Sequence, residues 1–215
     1  RDQNNILYKG AATVTDGKFL FSFIVPKDIA YNYGVGKISY YAVNDDEQNP
    51  LDANGTEENF VIGGTADDII YDYDEAELSL FMNDTLFING GITDEAPILL
   101  AHLFDLSGIN TVGNGIGHDI TAVLDGNTAN PYVLNDFYEA KKDDFTRGVV
   151  RFPLYNLTKG KHFITLKVWD VFNNSSEATI NFVVTKANDL AIADFTTYPN
   201  PFSVSTDIYF QHNKV

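Results

Sequence analysis

At 215 residues the chain exceeds the roughly 100–200 of one ordinary domain, so it holds one large or two modest units with enough length to bury a core. Hydrophobic residues are 44% and aromatics 13%, with 16 Phe and 12 Tyr, which is too apolar for disorder and weighted toward strand formers. The 14 Lys+Arg against 30 Asp+Glu leave a formal charge of -16, which argues against nucleic acid or an anionic membrane surface as partner, and the absence of Cys excludes a thiolate nucleophile, a thiolate metal site, an iron–sulfur cluster and any disulfide within the chain.

The start, Arg1-Asp2-Gln3-Asn4-Asn5, has neither an initiator Met nor the charged and apolar regions of a signal peptide. The other end stops just after a strand-like run, so both ends are expected to be cuts inside a longer polypeptide. No run approaches the ~18 apolar residues of a spanning helix, so direct membrane insertion is not expected.

Period-2 alternation recurs from one end of the chain to the other. Phe19, Phe21, Phe23 and Val25 share one face of a strand ending at Pro26, and Ile38, Tyr40 and Ala42 share one face of the next. Leu78, Leu80 and Met82 repeat the pattern, as do Ile98, Leu100, His102 and Phe104. Helical periodicity is nearly absent. Its one candidate is residues 135–142, where Asn135 or Asp136 could cap one or two turns. The clearest alternation is Ile164, Leu166 and Val168, then Ile180, Phe182 and Val184, joined by a polar connection of hairpin length over residues 170–176. Short strands at intervals of roughly 8–12 residues with turn signals between them indicate a β-sandwich.

Two acidic, strand-poor stretches, residues 63–74 and 185–198, divide the chain into 1–75, 76–185 and 186–215. The first piece is short for a seven-stranded sandwich of about 100 residues and is expected to lack N-terminal strands. In the third, Pro199 and Pro201 forbid a central strand, and Thr206 to Phe210 alternate like a single strand beyond a linker.

Four histidines bound the chemistry available: His102, His118, His162 and His212. His102 alternates with apolar neighbours and His162 follows a turn, so both read as structural. The most distinctive segment is Gly113-Asn114-Gly115-Ile116-Gly117-His118-Asp119, whose glycines could let backbone amides cradle an anion. A phosphate loop needs a helix N-terminus after it, whereas residues 120–124 read as a strand. The candidate binding residues are therefore Gly113, Gly115, Gly117, His118 and Asp119, weighed against a purely structural loop. Neighbouring strand residues point to opposite faces, so His118 and Asp119 do not form a catalytic line, and no catalytic residue is assigned. The acidic stretches 52–58, 67–77 and 143–144 lack the spacing of a calcium loop and read as solvated turns, leaving no expected metal and no expected cofactor. Tyr40, Tyr41, Phe152 and Trp169 are core candidates, a carbohydrate platform requiring several aromatics on one exposed face.

The run Leu154-Tyr155-Asn156-Leu157-Thr158-Lys159-Gly160-Lys161-His162-Phe163-Ile164-Thr165-Leu166-Lys167-Val168-Trp169-Asp170, continued by Asn173-Asn174-Ser175-Ser176, resembles the last two strands of bacterial immunoglobulin-like domains. Together with Val25-Pro26-Lys27-Asp28-Ile29, Gly36-Lys37-Ile38-Ser39-Tyr40-Tyr41-Ala42, Ser107-Gly108-Ile109-Asn110-Thr111 and the stretch 113–120, the chain resembles over nearly its whole length the region that follows the catalytic domain in the type IX secretion sortases, a family of gingipain-like cysteine peptidases. The tail Tyr198-Pro199-Asn200-Pro201-Phe202 resembles the opening of the C-terminal sorting domain of type IX secreted proteins.

The resemblance implies an all-β chain: two immunoglobulin-like antiparallel sandwich units in tandem, at 1–75 and 76–185, then a linker and the first strand of a sorting-type domain. It implies a parent at the bacterial outer-membrane surface that cleaves sorting domains from cargo and joins the new C-terminus to a lipopolysaccharide. The catalytic Cys and His would lie upstream of Arg1. Expected partners are that peptidase domain and the type IX outer-membrane components. A carbohydrate- or calcium-binding module of a secreted surface protein is the alternative.

Overall fold

The computed structural model describes residues 6–27, 29, 32–46, 48–65, 71–112, 117–186 and 192–212, the side chains of Ala193, Asp194 and Gln211 apart. The fold is all-β, and among the described residues the helical content is one 3-10 turn.

Residues 6–25 form two extended arms around Thr15-Asp16-Gly17-Lys18, where Asp16 and Gly17 take φ of 51° and 72° and Thr15 and Lys18 exchange two backbone hydrogen bonds of 2.9 and 3.0 Å. Positive φ at both central residues is the tight hairpin geometry that Asp-Gly supplies. The turn lays Tyr8 on Phe23, ring centroids 4.8 Å apart. Beyond it, β1 (Gly34–Val35) pairs with β4 (Val61–Ile62) and β2 (Ile38–Val43) with β3 (Asp52–Glu57), both antiparallel. As the period predicts, Ile38, Tyr40 and Ala42 form the half-buried face of β2. Among the described residues before Ala76, strands pair only two at a time, and Pro26 and Gly36 are the buried positions. The packed core is therefore built from Ala76 onward.

That core lies between two sheets. One has the order β10 (Tyr138–Lys141), β11 (Asp144–Pro153), β7 (Ile98–Phe104), β5 (Glu77–Met82). The other runs β6 (Ile92–Thr93), β13 (Ser175–Val184), β12 (Gly160–Trp169), β8 (Thr121–Leu124), β9 (Tyr132–Val133). Every pairing is antiparallel except β6 with β13, the last strand of the sandwich. The chain thus enters in one sheet as β5, crosses over, and continues in the other as β6. This connectivity is that of a seven-stranded immunoglobulin sandwich with β6 and β9 as additional edge strands. Met82, Leu99, Ala101, Leu103 and Val150 from the first sheet meet Ala122, Ile164, Leu166, Val168, Ile180, Phe182 and Val184 from the second.

Four local expectations need correction. The proposed helix at 135–142 stops after Asn135–Phe137, because the Asn135 side chain bonds Ile120 and Thr111 instead of capping, and Tyr138 starts a strand. On β7 the core-facing row is Leu99, Ala101 and Leu103, and the alternating row read from sequence faces out, where Leu100 is covered and His102 is exposed against Phe81. Trp169 is half-buried on the outer face of its sheet, since His162, Ile164, Leu166 and Val168 take the inward positions. The strand expected alone at 206–210 pairs as β15 (Asp207–His212) with β14 (Ile192–Tyr198), which charge and linker composition concealed.

Candidate functional site

The loop 113–119 is reached through stems held by backbone and side-chain hydrogen bonds. Asn110 N donates to Trp169 O at 2.8 Å, and Val112 N to Asn110 Oδ1 at 3.0 Å. Asn135 then ties the two stems together: its Oδ1 accepts from Ile120 N at 3.1 Å while its Nδ2 donates to Thr111 O at 3.2 Å. Gly113 and Gly115 lie outside the described residues. Gly117 is described, and its φ of +91° is a conformation that L side chains rarely adopt. His118 leaves the loop to rest on Trp169, ring centroids 4.3 Å apart, while Lys167 Nζ covers that indole at 5.1 Å and reaches Glu177 at 2.9 Å. Asp119 is half-buried beside it. Of the five sequence candidates, then, His118 is directed onto the outer sheet face, and it brings the loop to Trp169.

A second group of polar residues was not visible in the sequence as a group. Asp72, Asp105 and Asp170 place one carboxylate oxygen each within 4.8 Å of one another at one end of the sandwich. Asp105 heads the turn after β7, its Oδ1 accepting from Ser107 N and Gly108 N at 2.8 and 2.9 Å. Asp170 heads the turn after β12, its Oδ1 accepting from Phe172 N and Asn174 N at 2.9 and 2.7 Å, its Oδ2 from Asn174 Nδ2 at 2.7 Å. Asp72 comes from the acidic lead-in to β5 that composition reads as solvated. It accepts from the Ser107 hydroxyl, and its carbonyl takes a 3.1 Å bond from Asn174. The signal that could have found them is that two are Asp residues opening turns at strand ends, the position where a carboxylate bonds backbone amides two and more residues on.

Charge this concentrated and this buried is costly. Asp105, 4% exposed, has its pKa pushed up to about 6, chiefly by burial, with the charges of Asp170 and Asp72 adding and the Ser107 and Gly108 amides opposing. Burial raises Asp170 as well, against the bonds from Asn174 and Phe172. Among the described residues this is the one group with metal-ligand geometry. Its all-oxygen donors suit a hard cation such as calcium, yet they supply three of the six to eight oxygens calcium takes.

The same end of the sandwich receives the N-terminal arms. Lys27 N donates to Val171 O at 3.0 Å and its ammonium lies 4.7 Å over the Phe172 ring. Asp143 N donates to Ala11 O at 2.9 Å, and the Asp143 carboxylate accepts from Thr13 N at 2.6 Å and from the Thr13 hydroxyl at 2.5 Å, bonds that lower its pKa. The aromatic residues of the arms are not a flat platform: Tyr8, Phe21 and Phe23 stand parallel within 3–6° at 4.8–6.3 Å, turning their faces toward one another.

Fold and site together define an immunoglobulin-type β-sandwich module without a thiol. No protein-family model matches the chain, and no curated protein does. Among solved structures it is similar to the crystal structure of dimeric latent PorU from Porphyromonas gingivalis, at 36% identity with a TM-score of 0.54. The similarity covers 94% of this chain and 19% of that one, so the chain corresponds to a PorU-related region spanning a fifth of the PorU chain it matches.

Proposed function

We propose that this chain is a non-catalytic β-sandwich region of a cell-surface type IX secretion sortase, a peptidase that cleaves C-terminal sorting domains from cargo. In this reading the region supports and positions the peptidase domain and contacts the outer-membrane components of the secretion system. The observation that carries it is the 36% identity to PorU along 94% of the chain. The absence of any Cys in the 215 residues agrees, because a cysteine peptidase cannot draw its nucleophile from here. The hairpin β14–β15, with its Tyr198-Pro199-Asn200-Pro201-Phe202 connection, is then the start of a sorting-type domain.

Incubating the purified chain with sorting-domain substrates is expected to give no cleavage, whereas deleting the region from its host's chromosomal gene is expected to stop cargo processing. Cleavage that survives repurification and is lost in a point variant of this chain would overturn the first half. Normal processing after the deletion would overturn the second. The alternative, a carbohydrate- or calcium-binding module, has less behind it, since Tyr8, Phe21 and Phe23 stack on one another and the three aspartates form only part of a calcium shell.

A further inference from the structure

The ring of His162, which belongs to neither the glycine loop nor the aspartate group, lies between two acceptors. Its Nδ1 is 2.7 Å from Asp125 Oδ2 and its Nε2 is 2.7 Å from the carbonyl oxygen of Thr158. A carbonyl oxygen can only accept, and a carboxylate oxygen accepts in the same way. Neutral imidazole carries one N–H, so it satisfies one contact and sets a ring lone pair against oxygen at the other. The imidazolium satisfies both. The His162 side chain is 8% exposed and stacks on Phe182 at 5.6 Å, which leaves little room for water to supply the missing proton.

The other half of the arrangement concerns the loop that Asp125 opens. Asp125 Oδ1 accepts from Phe163 N at 3.0 Å and Asp125 N donates to Phe163 O at 2.9 Å, so this residue extends the β8–β12 pairing by one position. It holds φ of 51°, followed by Gly126 at 71°, and begins the connection to the edge strand β9.

We propose that Asp125, His162 and Thr158 form a proton-operated clip: doubly protonated, the ring fastens the loop between β8 and β9 to β12, and loss of one ring proton releases one of the two contacts. Among the described residues the charged group facing the ring is Asp125. From β13 it meets the uncharged Phe182, and Lys159 and Lys161 precede it along the chain. Burial by itself pulls the ring's pKa down, but the hydrogen bonds to Asp125 and to the Thr158 carbonyl, with the Asp125 charge, outweigh it and hold the value above the ordinary 6.5. The stabilisation is therefore complete below pH 6.5 and disappears as pH rises through the folded-state value.

The test is a nitrogen-15 NMR titration of the imidazoles in the 215-residue protein, with peaks assigned from His102→Gln, His118→Gln and His212→Gln variants. His162 is expected to show both nitrogens protonated at pH 6.5 and to titrate above it, Asp125→Asn to lower that midpoint, and His162→Gln to flatten the fall in melting temperature between pH 6.5 and 8.5. A neutral His162 at pH 6.5, a midpoint unmoved by Asp125→Asn, or the same fall in melting temperature in His162→Gln each overturns the proposal. If Asp125→Asn does not fold, the wild-type titration decides alone.

Discussion

The imidazole of His118 rests on the indole of Trp169, ring centroids 4.3 Å apart and planes inclined by 45°. The contact joins a glycine-rich loop to the outer face of a sheet whose inner face is the hydrophobic core. Trp169 is thus a fastening for the loop rather than a core residue. Trp169→Ala is expected to cost about 1–2 kcal/mol, the scale of one half-buried aromatic contact with its buried area. Phe182→Ala, which empties a site 1% exposed between the two sheets, is expected to cost about 3–5 kcal/mol. Chemical denaturation of the two variants checks the order, and a larger loss for Trp169→Ala would return that indole to the core.

The aspartate group predicts the direction of pH dependence. Folded Asp105 keeps its proton to about pH 6, whereas an unfolded Asp releases it near pH 3.9. Between those values the native state binds more protons than the unfolded one, so stability falls as pH rises through the window. Asp105→Asn, which cannot ionise, is expected to be more stable than the wild type at pH 7 by about 2–3 kcal/mol and to lose that advantage below pH 4. Urea unfolding of both proteins at pH 4, 5.5 and 7 measures it, and parallel curves at all three would show that the cluster carries no such cost.

Two glycines separate conformation from space. At Gly117 nothing among the described residues lies within 4 Å of where a Cβ would stand, so Gly117→Ala is expected to meet the backbone penalty of its positive φ, about 1 kcal/mol. Gly148 has the reverse problem: its backbone is ordinary strand, but a Cβ there would overlap the ring of Tyr138, itself 7% exposed. Gly148→Ala is expected to cost about 1–3 kcal/mol by displacing that ring. Adding Tyr138→Leu to Gly148→Ala should recover part of the loss, and a thermal-melt double-mutant cycle showing no coupling between the positions would contradict this account.

The hairpin β14–β15 pairs with itself, through Thr196 opposite Tyr209 and Thr197 opposite Ile208, and exposes Phe195, Tyr198, Ile208 and Tyr209. A two-stranded hairpin is at best marginally stable in water and adds little to the sandwich. Truncation after Lys186 is therefore expected to leave the main melting transition within about 0.5 kcal/mol of the full chain. A large drop on calorimetry would mean that the hairpin packs on the sandwich in solution.

The all-β class, the β12–β13 hairpin and the inward rows Ile164, Leu166, Val168 and Ile180, Phe182, Val184 were legible in the sequence, because a strand repeats every two residues and one buried face imprints that period. The parity of that row already places Trp169 on the other side. On β7 both faces are apolar, so the period alone could not choose between Leu99, Ala101, Leu103 and the alternate row; the pairing partners β5 and β11 made the choice. The sequence also showed the glycine loop, but not that Asn135 would tie its stems or that His118 would lie on Trp169. Tertiary structure alone decided the meeting of Asp72, Asp105 and Asp170. They stand far apart along the chain, and only the immunoglobulin connectivity, which returns the turns after β7 and β12 to the end where β5 begins, brings their carboxylates together. Hydrophobic patterning acts through nearest neighbours on a strand and carries no information about which loops share an end.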